Sequence, residues 1–539
     1  MLRREGIARG PVDDEEIISE LIDRVVLRFK NEDLSVLLND TCFREEKRLS
    51  RSKDQDEQAY LARLRDARRQ LSWATPVELE RLLRGIIEGY GHEIHGHFDP
   101  RLYESATRVA PKGLALLLRK QAPWQLLKRA MTGGINLSDR VIARGEVETF
   151  DRLVEMGTCI LVPTHSSNLD SPVMGFALHS AGLPPMIYGA GINLFTNWLL
   201  SYFMDNLGAY RVDRAKKHRL YKETLKEYST LALERRWHSL FFPGGTRSRS
   251  GRVESDLKKG LMGTGLTAYQ ANLKEDRQKA RVFFVPATIN YHLVLEAETL
   301  IEDSLQEEGQ SRYIITDDEF SRPDRVLQFA RNLMKMSNPI EVVFGRPLDP
   351  FGNFVDAAGN SLDPQGNPFD PQGYVSSGGR VVEDRQRDRE YTSRLSGRIA
   401  EAFARDTVYF GTHLLASAMH RRVEVHNPGL DRYQRLLLGL DARRFTSAEV
   451  EAEMAHMLEV LRAMEERGEL RLGEELRTGT PESIRTQALR QFGRYHKTRA
   501  VWGRSGACVL EDPRLALYYA NRLDGVALPP PLPADGWRT

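Results

Sequence analysis

The chain is short of cysteine, of long apolar runs and of net charge, and each shortage narrows what it does. Only three of its 539 residues are cysteine, Cys42, Cys159 and Cys508, far apart and in no CxxC pair. That excludes a disulfide framework and a cysteine-built zinc site, and it suits a reducing compartment. No stretch holds about 18 consecutive apolar residues, so no membrane-spanning helix is predicted. The N-terminus, MLRREGIARGPVDDEEI, turns acidic where a signal peptide needs an apolar segment. Lys and Arg number 77 against 75 Asp and Glu, a formal net charge of +2. A charge so balanced creates no field that draws nucleic acid, and none is expected as a partner. No G-x-S-x-G segment occurs, so the nucleophile elbow of a serine hydrolase is absent as well.

What remains is a globular composition, 41% hydrophobic and 28% charged, in a chain long enough for several folding units. Residues 1–135 read as a helical N-terminal domain. Ile17, Ile18, Leu21, Ile22, Val25, Val26 and Phe29 recur at helical spacing, and Thr75-Pro76 with Glu78 predicts a capped helix start. Residues 136–348 change texture. Short β-rich runs, CILVPTH (159–165), PPMIYG (184–189), SLFFPG (239–244), RVFFVPATINY (281–291) and IEVVFG (340–345), alternate with helical segments. Buried strands with intervening helices predict an α/β layered domain. Residues 349–384 form a turn-rich insertion in which Asp349, Asp356, Asp363 and Asp370 recur every seven residues, each followed three later by glycine. Asp-x-x-Gly suits a chain of type I turns, and the acids are too sparse for a calcium site. Residues 385–539 are a helical C-terminal region, with Leu458, Leu461, Met464, Leu470 and Leu472 as core positions and a winged-helix-like unit as one arrangement.

The richest chemistry lies in Leu161-Val-Pro-Thr-His165-Ser-Ser-Asn-Leu-Asp170-Ser-Pro. A buried strand runs into His165, and Ser171-Pro172 reads as a helix cap with Gly182 as its stop. Asp170 at that turn is placed to fold back onto the imidazole. A histidine takes the proton of an alcohol as the alcohol attacks, and a carboxylate on its other nitrogen fixes the tautomer. The helix N-terminus beside it offers N–H groups for an oxyanion or a phosphate. Gly208-Ala-Tyr-Arg211-Val-Asp-Arg214 follows, then Phe241-Phe-Pro-Gly244-Gly245-Thr246-Arg247-Ser248-Arg249-Ser-Gly251-Arg252, and finally Phe284-Val-Pro286-Ala-Thr-Ile-Asn-Tyr291. Glycines let a backbone approach an anion, and arginine forks match phosphate oxygens.

These four blocks, in this order and spacing, resemble the glycerolipid acyltransferases, and among them the sn-glycerol-3-phosphate 1-acyltransferases of bacterial and mitochondrial type. Tyr291-His-Leu-Val294-Leu-Glu296 and Leu517-Tyr518-Tyr519-Ala-Asn521 are similar to further elements of that subfamily. The resemblance implies an α/β fold with a mixed sheet flanked by helices, between helical N- and C-terminal regions. It implies transfer of a fatty acyl group from acyl-CoA or acyl-carrier protein to the 1-hydroxyl of glycerol 3-phosphate, giving lysophosphatidic acid. His165 is then the general base and Asp170 its orienting acid. Arg214, Arg247 and Arg249 hold the phosphate with Arg211 nearby, Gly245 and Thr246 shape the loop, and Pro286 lies on the acyl side. This chemistry requires no metal and no organic cofactor. Lysophosphatidic acid or dihydroxyacetone phosphate is the alternative acceptor, and a membrane-bound scaffold without catalysis the alternative of another class.

Two positions depart from the pattern. Ser166 stands where the family often has arginine, and Gly244 where it usually has glutamate, with Arg211 and Arg252 as candidates to compensate. Elsewhere, His92-Glu-Ile-His95-Gly-His97-Phe-Asp99 reads as a polar helix-to-loop junction rather than a zinc site. Residues 113–131 (GLALLLRKQAPWQLLKRAM) mix apolar and basic side chains, which suits either an interfacial helix or a helix pair docked on the catalytic domain, and 187–207 are apolar and aromatic, which suits an acyl-channel wall, a membrane-facing patch or a core segment. With an amphiphilic product, these predict a monotopic or peripheral protein on the cytoplasmic side of the cell membrane.

Overall fold

The computed structural model describes residues 14–50, 55–99, 141–195, 204, 206–309, 339–493, 496, 498–504 and 506–534. The helices α1 (Asp14–Phe29), α2 (Leu34–Leu49), α3 (Gln55–Gln70) and α4 (Pro76–Ile94) come first. Thr75 caps α4 as the sequence predicts: its hydroxyl accepts from the Glu78 N–H, and the Glu78 carboxylate accepts the Thr75 N–H at 2.7 Å. The stripe Ile17, Ile18, Leu21, Val25 and Phe29 is buried against Leu83, Ile87, Tyr90 and Ile94 of α4.

The central elements are β1 (Val141–Gly145), α5 (Val147–Met156), β2 (Thr158–Pro163), α6 (Asp170–Ser180), β3 (Ile187–Gly191), β4 (Ala209–Val212), α7 (Arg219–Glu234), β5 (Ser239–Leu240), α8 (Lys259–Lys274), β6 (Val282–Asn290), α9 (Ala297–Gly309) and β7 (Ile340–Phe344). The strands build one seven-stranded sheet in the order β1-β7-β6-β2-β5-β3-β4. Strands β6, β2, β5, β3 and β4 run parallel, whereas β7 is antiparallel to β6 and parallel to β1. This is the predicted α/β fold, a mixed sheet flanked by helices.

Both faces of the middle strands are covered, so β2 and β6 are buried throughout and mostly apolar. Cys159 and Leu161 of β2, with Phe283, Val285 and Ala287 of β6, join a core that includes Phe150 and Leu153 of α5 and Val173, Met174 and Ala177 of α6. Ile160, Val162, Val282 and Phe284 point the other way, toward Met262 and Leu266 of α8. The N-terminal helices reach this layer through Tyr221, Tyr228 and Leu231 of α7, which share a core with α1 and α4. Strands β1 and β4 are absent from the predicted set. They are the two edges of the sheet, and VIARG and AYRV carry the polar side chains that edges tolerate.

In the Asp/Gly segment, Gly352, Gly359 and Gly366 each return an N–H to the carbonyl of the aspartate three residues earlier. These glycines have φ of 80° to 87°, so their turns favour glycine. Oδ1 of Asp349, Asp356 and Asp363 accepts the backbone N–H groups two and four residues on. The fourth unit differs: Asp370 caps a 3₁₀ turn, Pro371–Tyr374. The segment is anchored rather than purely superficial, because Phe351 and Val375 are buried with Leu395, Ile399 and Phe403.

Beyond it lie α10 (Arg385–Asp406), α11 (Gly411–His426), α12 (Ser447–Glu466), α13 (Pro481–Phe492) and α14 (Pro513–Ala520), with a small antiparallel sheet of Arg444–Thr446, Ala507–Leu510 and Val501–Arg504. Leu458, Leu461, Leu470 and Leu472 are buried there, and Met464 partly so. Residues 113–131, together with Trp198, Tyr202 and Phe203 of the 187–207 segment, lie outside the described residues. No helix among the described residues is long and apolar enough to cross a membrane.

Candidate active site

Five parallel strands end along one edge of the sheet, the place where α/β sheets bind ligands. Strand β2 delivers His165 to that edge. The imidazole is mostly buried and stacks on Phe242, just past β5, with ring centroids 4.3 Å apart. Its Nδ1 lies 2.8 Å from Asp170 Oδ2. The same oxygen accepts the N–H groups of Ser166 at 2.6 Å and Ser167 at 2.8 Å, while Oδ1 accepts the Tyr291 hydroxyl at 2.6 Å. A fully buried carboxylate is tolerable because four donors meet it. With a carboxylate on Nδ1, the proton resides there and Nε2 is the basic nitrogen.

The N–H groups leading into α6 are largely engaged within the chain. Helix α6 begins at Asp170, one residue before the predicted Ser171 cap, and its N-cap position makes no side-chain capping bond. The N–H groups of residues 166–170 all have partners within the chain. Those of Ser166 and Ser167 go to Asp170, that of Asn168 to Glu296 at 3.0 Å, that of Leu169 to the Ser167 hydroxyl at 3.2 Å, and that of Asp170 to the Ser167 carbonyl at 3.1 Å. The loop is thereby a rigid holder for the imidazole rather than an oxyanion hole. Gly182, with φ of 72°, follows the end of α6 as predicted.

The glycine-arginine loop leaves β5 and folds over the same edge. Gly245 has φ of 76°, and its N–H bonds to the Phe242 carbonyl at 3.2 Å, closing a tight turn that exposes Thr246. Arg247 and Arg249 are both partly buried. Arg247 Nη1 stands 3.7 Å from Glu296 Oε1, and Arg249 pairs with Glu307 of α9. Arg211 is on edge strand β4 with its guanidinium 4.8 Å from the Phe195 ring centroid, and Arg214 is exposed in the turn after it. Pro286 is buried in the body of the sheet, in register with Val162. Arg252 does not compensate for Gly244, being engaged with Asp524 at 2.8 Å at the surface.

Three further groups complete the site. Glu296, buried at the start of α9, accepts the Ser167 hydroxyl at 2.9 Å and carries a raised pKa from burial. Glu254 accepts the His165 N–H at 3.1 Å, and burial pushes its carboxyl up to about 8. Arg522, from the C-terminal region, lines a cavity of about 20 Å³ with Ser166, Gly251 and Tyr291, and is 8% exposed. Tyr291 and Glu296 were visible in sequence as likenesses without a role; Glu254 and Arg522 carry no sequence signal of their own. Among the described residues no three His, Cys, Asp or Glu side chains converge as a metal site. His95 instead closes α4 and meets the Tyr228 hydroxyl at 3.2 Å.

Residues 144–289 match the protein family described as Acyltransferase. They are an acyltransferase domain. The glycerol-3-phosphate acyltransferase of Actinobacillus succinogenes is 32% identical over 163 residues, 29% of this chain and 19% of that protein. The glycerol-3-phosphate acyltransferase of Haemophilus ducreyi is 28% identical over 230 residues, 39% of this chain and 26% of that protein. The matches thus span only about a fifth to a quarter of those relatives. The solved 1-acyl-sn-glycerophosphate acyltransferase of Thermotoga maritima aligns over 55% of this chain and 81% of its own, at 17% identity and a TM-score of 0.26. The acyltransferase domain contains His165, Asp170, the arginines at 211, 214, 247 and 249, and Pro286. Tyr291, Glu296 and Arg522 lie outside it, so the site is larger than the matched segment.

Proposed function

We propose that the chain transfers a fatty acyl group from acyl-CoA or acyl-carrier protein to the 1-hydroxyl of glycerol 3-phosphate. One observation carries this reading: inside an acyltransferase domain, at the outlet of parallel strands, a histidine is oriented by a buried carboxylate and flanked by arginines. His165 Nε2 accepts the hydroxyl proton as the oxygen attacks the thioester carbonyl. The tetrahedral intermediate expels the thiolate, and the imidazolium returns its proton to that sulfur. Asp170 keeps its charge throughout and stabilises the imidazolium. Because the loop N–H groups are already bonded, the guanidinium groups of Arg247, Arg249 and Arg522, with Arg211 and Arg214, are the donors for the phosphate. The reaction takes place at the cytoplasmic face of a membrane, a reading supported by the amphiphilic product and the basic, apolar sequence of residues 113–131.

The test is thiol release from palmitoyl-CoA by purified protein, with and without glycerol 3-phosphate, alongside His165→Ala. Release that requires glycerol 3-phosphate and vanishes in the variant is expected. Release only with lysophosphatidic acid would overturn the acceptor and keep the mechanism. None with either, after repetition with acyl-carrier protein and lipid, would leave a scaffold.

A further inference from the structure

The backbone at Gly244 borders a space that a side chain from elsewhere occupies. An ideal Cβ built on Gly244 would stand 2.8 Å from Glu254 Oε1 and 2.9 Å from its Cδ, so a side chain there would have to displace the Glu254 carboxyl. Gly244 does not have a left-handed φ, so space and not backbone freedom demands the glycine. The carboxyl that fills the space bonds the main chain of the base: Oε1 accepts the His165 N–H at 3.1 Å. On the other side of the same residue, the His165 carbonyl accepts the Ser248 N–H at 2.7 Å. The loop itself is closed by the Lys258 N–H on the Pro243 carbonyl at 2.7 Å, which brings residue 254 back over residue 244. Glu254 Oε2 is shut off from solvent and has no hydrogen-bond partner.

We propose that Glu254 is a positioning residue for His165, supplying from ten positions downstream the carboxyl group that the resembled family carries at 244. The proposal rests on His165 being the base. An unpaired main-chain N–H at this buried turn would let the imidazole drift, and a drift of about 1 Å costs on the order of 100-fold in rate. A neutral acid meets the requirement as well as an ion does, since its carbonyl oxygen accepts the same N–H. Burial beside Asp170 keeps this carboxyl protonated at neutral pH. Gly244 and Glu254 are therefore one exchangeable unit: a side chain at either position excludes one at the other.

The experiment uses the full chain and two readouts. In the thiol-release assay, Glu254→Ala lowers kcat about 10- to 100-fold with KM for glycerol 3-phosphate nearly unchanged. Glu254→Gln, whose amide oxygen accepts the same N–H, retains most of the activity. Gly244→Glu alone is inactive through crowding, and Gly244→Glu with Glu254→Gly recovers at least tenfold over that single variant. The second readout is thermal unfolding: Gly244→Ala lowers Tm by about 2–4 °C in the wild-type background and not in Glu254→Ala. Full activity in Glu254→Ala, or a double variant no better than Gly244→Glu, overturns the proposal. So does a Gly244→Ala penalty that ignores residue 254, whatever the activity. Wild-type protein that transfers no acyl group to any acceptor instead overturns the function on which His165 is a base, and with it the positioning role.

Discussion

Replacing Asp170 by asparagine removes a charge and almost nothing else. Asp170 Oδ2 takes three donors, from His165, Ser166 and Ser167, and Oδ1 takes one, from Tyr291. An amide nitrogen in the Oδ2 place would orphan three buried N–H groups, so the amide oxygen goes there and the NH₂ faces the Tyr291 hydroxyl. His165 then keeps its proton on Nδ1 and its base on Nε2. What is lost is the difference between a charge-assisted and a neutral hydrogen bond to the imidazolium, about 1–2 kcal/mol. That corresponds to a fall in kcat of roughly 5- to 30-fold, with KM for glycerol 3-phosphate unchanged. The assay is steady-state thiol release from acyl-CoA, with Tm measured on the same samples. Where an orienting amide leaves the histidine in the wrong tautomer, the loss is about 10⁴-fold. A loss of that size with Tm intact would refute the argument that the serine N–H groups pin the tautomer, and no loss would refute a role for the carboxylate.

Other outcomes follow from the same contacts. Tyr291→Phe takes a donor from the buried Asp170, so kcat should fall several-fold with KM for glycerol 3-phosphate nearly unchanged; an unchanged kcat would refute it. Arg247→Ala with Arg249→Ala should raise KM for glycerol 3-phosphate more than it lowers kcat, and equal KM values would remove both from phosphate binding. Glu254 holds its proton to about pH 8 when folded but only to about 4.5 unfolded, so wild-type stability falls as pH rises between those values, by roughly 5 kcal/mol at most. Glu254→Gln lacks that fall, and Tm curves of the two proteins that stay parallel from pH 5 to 9 would contradict it. In the C-terminal region, Arg422 is fully buried with Glu449 at 2.7 Å and Glu453 at 3.5 Å. Arg422→Ala leaves Glu453 to Arg421 alone and Glu449 to His426 alone, and should cost about 3 kcal/mol in denaturant unfolding.

How much was legible in the sequence depended on whether a residue's neighbours were local. Strands β2, β6 and β7 are buried on both faces and therefore read as apolar-rich runs, while β1 and β4 border the sheet and do not. His165 and Asp170 were legible because four intervening residues suffice to join them. The partners of the N–H groups between them were not legible, since they include Glu296, far along the chain. Glu254 was illegible for a related reason: its meeting with Gly244 depends on the path of a loop that has no periodicity to read. The departure at Gly244 was visible as a loss, and only the folded loop shows what occupies the space.

The shared core between the central sheet and the C-terminal helices has a consequence for inheritance. Leu415, Leu517 and Tyr519 pack in the same cluster as Leu161, Val285 and Val294, and the Tyr519 hydroxyl accepts the Val294 N–H at 3.2 Å. Val294 follows Tyr291, whose hydroxyl holds the orienting carboxylate. A substitution in the tail is thus felt at the base, hundreds of residues upstream. The two stretches have to vary together, and recombination that exchanged the tail alone would deliver a chain whose halves were never fitted to each other.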